Sequence, residues 1–162
     1  MGTVKVTSYG DPVALDRVGR LEALYRTEYA GMVRLAFTLV GDNAEAEEIV
    51  QDSLLEVFRR WDDIREPGAY LRCAVVSRCR TLLNRRRIAA HHPPEPPGLS
   101  ADAEAMWDVL AKLTDEQRIA VVLRYYGGYR AAEIADIAGI PAATVRSHLR
   151  RGLAALKKEL VA

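Results

Sequence analysis

Four prolines lie within five residues in the segment PPEPP, residues 93–97, and they divide the chain into two parts. Proline has no backbone N–H to donate and a fixed φ, so such a cluster favours an extended, semi-stiff linker over a helix or a strand. On both sides of it, apolar residues recur every three or four positions, which is the spacing of amphipathic helices. We therefore predict an all-α fold in which two small helical domains are joined by a proline-rich linker at residues 89–101.

The first domain is predicted to cover residues 20–88, after an N-terminal extension at residues 1–19 that we expect to be flexible. Its first helical pattern ends at Gly41, since glycine is a common C-terminal cap, and Asn43 is placed to cap the second helix. The polar segment WDDIREPG then interrupts the pattern. Pro67 suits the first position of a third helix, so three helices are expected here.

The second domain is predicted at residues 102–162, and it ends in a helix-turn-helix pattern. Ala135 is small enough for close helix packing, Gly139 lies where the turn needs a positive φ, and Pro141 stops the first helix. On the second helix, a buried stripe and an opposite basic face both recur at helical spacing. The stripe is Val145, Leu149, Leu153 and Leu156. The basic face is Thr144, Arg146, Ser147, His148, Arg150 and Arg151.

This basic face has the composition that suits the major groove of DNA. Arginine and short polar side chains near the start of such a helix can reach both base edges and phosphates. An ordinary helical hairpin with a solvated basic face would share the pattern. Because the turn, the packing stripe and the charge agree, we favour the DNA-binding motif.

The net charge of +1 hides a segregation of acids and bases along the chain. From Asp42 to Glu56 there are six acids and no base, whereas from Arg72 to Arg87 there are six arginines and no acid. Basic segments suit phosphate, and an acidic helix suits a basic protein surface. The pattern indicates one nucleic-acid partner and one protein partner. Acidic and basic helices that neutralise each other within the fold remain the alternative.

Other features limit the class of protein. No run of eighteen apolar residues is present and the first residues lack a secretory signal, so we predict a cytoplasmic protein without membrane contact. Cys73 and Cys79 lack a metal-ligand spacing and are expected to fill the core, while His91 and His92 are expected to be solvated. The sequence shows no nucleophile–base pair, phosphate loop or metal cluster. We therefore predict no catalytic residue, metal, cofactor or enzyme activity.

Two stretches resemble the extracytoplasmic-function sigma factors of bacterial RNA polymerase. Residues 133–160, EIADIAGIPAATVRSHLRRGLAALKKEL, are similar to region 4 of that family, which commonly shows E-I-A, L-G-I-P and T-V-[KR]-S-R-L-x-R-A. Residues 43–87 are similar to region 2, through EIVQD at residues 48–52 and through the arginine run that ends them. The departures are Ser77 where many members have asparagine, Ala138 for leucine, His148 for a basic residue and Gly152 for alanine.

The resemblance implies an alternative sigma factor of bacteria that contains regions 2 and 4 only and directs promoter-specific initiation of transcription. Such a protein binds core RNA polymerase at the clamp helices of the largest subunit and at the flap of the second-largest subunit. It recognises the promoter −35 and −10 elements and aids melting of the latter. Members are often held inactive by an anti-sigma factor, which is therefore a further partner to test.

Three sets of site residues follow from the resemblance. The set that binds core polymerase lies on the acidic helix and comprises Glu48, Gln51, Asp52 and Glu56. The set for −10 recognition and melting comprises Ile64, Arg65, Ser77, Arg80, Arg85, Arg86 and Arg87. The set for −35 recognition is the basic face of the second domain's last helix, described above.

Two other functions remain open from the sequence. A stand-alone helix-turn-helix regulator would use only the C-terminal motif and would usually dimerise to read two half-sites. A nucleic-acid enzyme with a helix-turn-helix module would need clustered carboxylates beside the basic helix. Here the acids lie on a separate amphipathic helix, away from the arginines in sequence.

Overall fold

The computed structural model describes residues 12–89 and 101–161, and within those ranges it is helical and contains no strand. The predicted all-α fold is confirmed. A 3-10 turn, Trp61–Asp63, links the second and third helices. The α-helices in this part of the chain are α1 (Pro12–Val40), α2 (Asn43–Arg59), α3 (Pro67–Ile88), α4 (Ala101–Leu110), α5 (Asp115–Tyr125), α6 (Ala131–Ala138) and α7 (Ala142–Val161).

Helices α1, α2 and α3 pack on one another and form the first helical unit. Gly41 follows α1 in the left-handed region with a φ of 76°, as the sequence predicted, and α3 begins at Pro67. The cap of α2 differs from the prediction. Asp42 is the N-cap and its carboxylate accepts the backbone N–H of Glu45 at 2.8 Å, while Asn43 is already helical. A carboxylate there also interacts favourably with the helix dipole.

The first helix starts earlier than the sequence suggested. Residues 12–19 are helical, although a flexible extension was expected as far as residue 19. Arg17 forms an ion pair with Asp62, which lies beyond the end of α2, and this pair ties the first turns of α1 to the rest of the unit. Residues 1–11 lie outside the described ranges.

Helices α4 to α7 form the second unit, in which α6 and α7 are the predicted helix-turn-helix. Gly139 joins them in the left-handed region with a φ of 67°, and Val145 is buried at their contact. The buried stripe of α7 differs from the prediction at Leu153, which is 40% exposed. Gly152 is buried instead, because α7 approaches α5 so closely that a β-carbon there would lie 2.9 Å from Val121.

The two units share one apolar core, a feature that the pattern of two tethered domains did not predict. Helix α5 packs on α1, and α6 packs on α3. Trp107 of α4 is buried against Phe37 and Gly41 at the end of α1, with the Trp107 and Phe37 ring centroids 6.4 Å apart. The predicted linker at residues 89–101, with the His91–His92 pair, falls almost entirely outside the described residues.

The two cysteines lie at different depths in α3. Cys79 is buried, and burial raises the pKa of its thiol to about 12, whereas Cys73 is half-buried. Neither side chain is fully exposed, as expected for small core-filling residues. None of the described helices combines the length and the apolar character needed to cross a membrane.

Candidate protein-binding and nucleic-acid-binding surfaces

The outer side of α2 carries three of the four residues that were predicted to bind a protein partner. Glu48, Gln51 and Asp52 are exposed, and their spacing of three and four places them on one side of the helix. An open groove of about 750 Å³ between α1 and α2 is lined by Gln51, whereas Glu48 and Asp52 line a polar groove on the other side of α2, between α2 and α3. We call these three residues and the groove between α1 and α2 the α2 surface. The groove lining is mostly apolar and includes Val18, Leu21, Tyr25, Leu54, Leu55 and Phe58.

Glu56, the fourth predicted residue, takes part in a network between α2 and α3. Its carboxylate accepts a hydrogen bond from the Tyr70 hydroxyl and pairs with Arg78 at 2.7 Å, and Arg60 donates to the same hydroxyl at 2.8 Å. The hydrogen bond to Glu56, together with burial, raises the pKa of Tyr70. Glu56 therefore joins two helices and is not grouped with the α2 surface.

The loop between α2 and α3 contributes Ile64 and Arg65. Arg65 is exposed, whereas Ile64 is half-buried and packs against the core. The Ile64 N–H donates to the Trp61 carbonyl at 3.3 Å and closes the 3-10 turn. The loop thus offers Arg65 to a ligand, and Ile64 supports the loop from beneath.

The arginines near the end of α3 differ in their contacts, although the sequence presents them as one run. Arg85 and Arg87 are exposed. Arg86 points inward, donating to the Val40 carbonyl at 2.6 Å and pairing with Glu45, and burial lowers its pKa. A cation at the carbonyl end of a helix is favourable, so Arg86 stabilises the C-terminus of α1. The structure does not bring it together with the two exposed arginines.

Arg80 and Ser77, the other predicted residues of α3, face different surroundings. The Arg80 guanidinium donates to the Ala138 carbonyl at the end of α6 and pairs with Glu116 of α5 at 3.3 Å. Ser77 is exposed and borders a polar groove of about 430 Å³ between α2 and α3, which Arg85 also lines. Ser77 and Arg85 are therefore open to a ligand, whereas Arg80 is engaged by the second unit.

The basic face of α7 is presented to solvent over its first three turns. Arg146, Arg150 and Arg151 are exposed. The Val145 N–H donates to the Pro141 carbonyl at 3.1 Å, so the helix starts directly at the turn. A helix with an open, basic N-terminal part can enter a major groove. The other predicted residues of this face, which are half-buried, are Thr144, Ser147 and His148.

Arg118 of α5 is a buried residue that the sequence interpretation missed. Its Nε donates to the Leu39 carbonyl at 3.0 Å, and its two other nitrogens donate to the Leu113 carbonyl at 3.4 Å and to Asp115 at 2.9 Å. Burial lowers its pKa, which the Asp115 carboxylate partly offsets. The guanidinium carbon also lies 5.4 Å from the centroid of the Trp107 ring. The sequence did contain a signal for this buried residue, because an arginine lies within the apolar stripe of α5.

Known families match both parts of the chain. The family described as "Sigma-70 region 2" matches residues 24–88, and the family described as "Sigma-70, region 4" matches residues 103–156. The two matches coincide with the two units of the structure. A stand-alone regulator built on the helix-turn-helix alone would not account for the first match.

Curated proteins resemble the chain over most of its length. The RNA polymerase sigma-E factor of Streptomyces coelicolor is 34% identical over 160 residues, covering 91% of this chain and 90% of that protein. The ECF RNA polymerase sigma factor SigL of Mycobacterium tuberculosis is 28% identical over 156 residues, covering 86% and 88%. Among solved structures, the sigma factor RpoE of Bartonella quintana, in complex with the anti-sigma factor NepR, has a TM-score of 0.69 at 21% identity, covering 90% of this chain and 96% of that one. This last likeness supports the fold.

Proposed function

Because the chain belongs to the sigma-70 family, in its extracytoplasmic-function group, we propose how its surfaces divide the work of promoter-specific initiation. The α2 surface binds core RNA polymerase, the exposed part of α3 and the loop before it contact the −10 element, and the first turns of α7 read the −35 element. The protein acts in the cytoplasm as a non-catalytic initiation factor.

We assign the region 2 domain to residues 20–88, the linker to residues 89–101 and the region 4 domain to residues 102–162. The family matches at 24–88 and 103–156 fall within these bounds, which supports the assignment.

The observation that carries the proposal is that two unlike surfaces are exposed on one chain. The α2 surface has acids on its α3 side and an apolar groove on its α1 side, which suits a basic, amphipathic helical partner, since apolar area and opposite charge are then both complementary. Family membership implies the clamp helices of the largest polymerase subunit as that partner. The α7 face is basic and polar, which suits a nucleic acid.

Gln51→Ala combined with Asp52→Ala is expected to weaken binding to core RNA polymerase about tenfold, since the loss of two central polar contacts costs on the order of 1–2 kcal/mol. The change is measured by letting each variant compete with labelled wild-type protein for core polymerase. Asp108→Ala is the control, because Asp108 is an exposed acid of α4 outside every proposed surface. Equal core affinity for the double variant and the control would refute the α2 surface as the docking site.

For the −10 element, we propose that Arg65 and Ser77 lie where the melted strand passes, and that Arg85 and Arg87 hold its phosphates. A base flipped out of the duplex loses stacking energy, and a surface that holds it offsets part of that loss. Exposure of these four residues in the loop and on one helix supports the assignment. Arg86 is left out of the phosphate-binding set, because its guanidinium is committed to the end of α1.

Arg146→Ala is expected to impair −35 recognition in one of two measurable ways. Loss of a base contact costs about 1–3 kcal/mol of discrimination at one promoter position. Loss of a phosphate contact weakens binding to all sequences and lowers the salt slope by about one unit. Run-off transcription with core polymerase, starting with the promoter of the protein's own gene, identifies a promoter sequence. Base discrimination and the salt slope of binding are then measured on that sequence.

Lys158→Ala is the control for this variant, since Lys158 is exposed near the other end of α7. It should leave selectivity unchanged. If Arg146→Ala alters neither selectivity nor salt slope, another face of the region 4 domain reads the promoter.

A further inference from the structure

The loop before α3, which carries the exposed Arg65, begins with a turn whose backbone is hydrogen-bonded to itself. The Asp63 N–H donates to the Arg60 carbonyl at 2.9 Å, and the Ile64 N–H donates to the Trp61 carbonyl at 3.3 Å. These bonds fix the shape of the turn. The direction in which the loop presents Arg65 depends on how the turn is fastened to the neighbouring helices.

Side-chain contacts fasten this turn to α3 and to α1. At the end of α2, the Arg60 guanidinium donates to the Tyr70 hydroxyl of α3 at 2.8 Å and lies over the Tyr70 ring. In the middle of the turn, Asp62 pairs with Arg17 in the second turn of α1. Asp62 stands three residues before Arg65, so α1 is joined to the loop close to the residue that is offered to DNA.

Arg17 differs from its neighbour Arg20 in what it reaches. The Arg17 side chain is 32% exposed, whereas the Arg20 side chain is 65% exposed and pairs along the same helix with Asp16 at 3.0 Å. The match to region 2 begins at residue 24, so Arg17 lies before it. Arg17 therefore connects the segment that precedes the matched residues to the loop proposed to contact the −10 element.

An ion pair of this kind contributes little to the stability of a whole domain, because its charges are partly solvated. A loop with few buried contacts opens more readily than the helices around it, so the same pair changes the ordered fraction of the loop measurably. A side chain on an ordered loop binds more tightly, since less conformational entropy is lost on binding. The pair is therefore better suited to orient Arg65 than to stabilise the fold.

We propose that Arg17 is a positioning residue for −10 recognition, which acts through Asp62 to hold the loop in the conformation that directs Arg65 towards DNA. This inference rests on the proposed −10 role of the loop. The competing role for Arg17 is a direct contact with a phosphate. Loss of Asp62 distinguishes the two roles: it disorders the loop if Arg17 positions it, whereas it frees a cation and removes a repulsion if Arg17 binds phosphate.

The ordering of the loop is measured without DNA, by hydrogen exchange of the Ile64 amide in nuclear magnetic resonance spectra. Arg17→Ala and Asp62→Ala are each expected to speed this exchange about two- to fivefold, since the loop then opens more often. The double variant Arg17→Asp with Asp62→Arg restores opposite charges and should return the rate to the wild-type value. Arg20→Ala is the matched control, because it removes an ion pair of the same helix that does not reach the loop.

Base selectivity is measured with core polymerase on promoter templates that are already mismatched across the −10 element. Arg65→Ala first identifies the −10 base whose recognition depends on that residue. At this base, the preference for the native nucleotide over a substituted one should fall about two- to fivefold in Arg17→Ala and in Asp62→Ala, and the charge swap should restore it. Arg20→Ala should keep the wild-type preference. Core affinity and the thermal midpoint are measured in parallel, since a merely structural role would lower these and leave the base preference unchanged.

Unchanged exchange in Arg17→Ala overturns the positioning role, and an unchanged base preference overturns its link to −10 recognition even where exchange is faster. Weaker DNA binding by Arg17→Ala together with tighter binding by Asp62→Ala overturns it in favour of a direct phosphate contact. An effect of Arg65→Ala on the base preference without one of Arg17→Ala refutes this inference alone. If Arg65→Ala alters the preference at no −10 base, the proposed role of the loop is itself refuted, and the inference with it.

Discussion

Replacing Arg118 with alanine is expected to lower the free energy of unfolding by about 3 kcal/mol. The Arg118 side chain is only 6% exposed and donates to two backbone carbonyls, of Leu39 and Leu113, besides pairing with Asp115. Alanine removes the donor from both carbonyls in a buried setting, and each unpaired buried polar group costs on the order of 1–3 kcal/mol. A whole domain is stable by only about 5–15 kcal/mol, so the loss is large.

Arg124→Ala is the matched control for this prediction. Arg124 lies on the same helix, is exposed, and makes a hydrogen bond to the Tyr129 carbonyl at 3.2 Å, so its loss should cost no more than about 0.5 kcal/mol. Equilibrium unfolding in urea measures both variants. Arg118→Lys keeps the charge and loses the planar guanidinium fork, so its loss of unfolding free energy should lie between those of the two alanine variants. A midpoint for Arg118→Ala equal to that of Arg124→Ala would show that the buried contacts contribute nothing.

The helices of this chain were predictable because their signals are local. These signals are the helical period of the apolar residues, the positive φ at Gly41 and Gly139, and the proline at the start of α3. Each depends on residues close in sequence, and the structure confirms each of them. The choice between neighbouring caps was harder. Asp42 and Asn43 are both good N-caps, and the extended φ and ψ of Asp42 decide which residue caps α2.

The docking of the two domains was not predictable from periodicity. A proline-rich linker indicates that the chain has two units, but it does not indicate whether the two units pack against each other. The six arginines of α3 show the same limit: their spacing gives helix faces, but what each face meets depends on α6 and on the end of α1. Arg80 and Arg86 are thereby drawn into internal contacts, whereas Arg85 and Arg87 stay exposed.

Gly41→Ala is expected to destabilise the protein by several kcal/mol and to separate its domains. The residue has a φ of 76°, where a β-carbon costs about 1–2 kcal/mol. In addition, the β-carbon would lie 2.2 Å from Cζ2 and 2.5 Å from Cη2 of Trp107, distances at which the atoms cannot coexist. Overpacking of this kind adds about 1–3 kcal/mol. Because Trp107 belongs to α4 and Gly41 to the end of α1, the clash pushes region 4 away from region 2.

Gly128→Ala separates the backbone cost of a positive φ from the cost of the clash with Trp107. Gly128 has a φ of 72°, and no heavy atom of the described residues lies within 4 Å of a β-carbon built there, so this variant has the backbone cost alone. The excess cost of Gly41→Ala over Gly128→Ala therefore measures the contact between Trp107 and the end of α1. Thermal unfolding gives the costs, and the radius of gyration reports the separation.

A double-mutant cycle with Trp107→Leu identifies the atoms responsible. Leucine is too short to fill the position of the indole ring, so the excess cost of Gly41→Ala should largely vanish in the Trp107→Leu background, and only the backbone cost should remain. The effect on the radius of gyration should vanish with it, since nothing is then left to push the domains apart. Additive costs in the cycle, or an unchanged radius for Gly41→Ala, would show that Trp107 does not hold the region 4 domain on the region 2 domain.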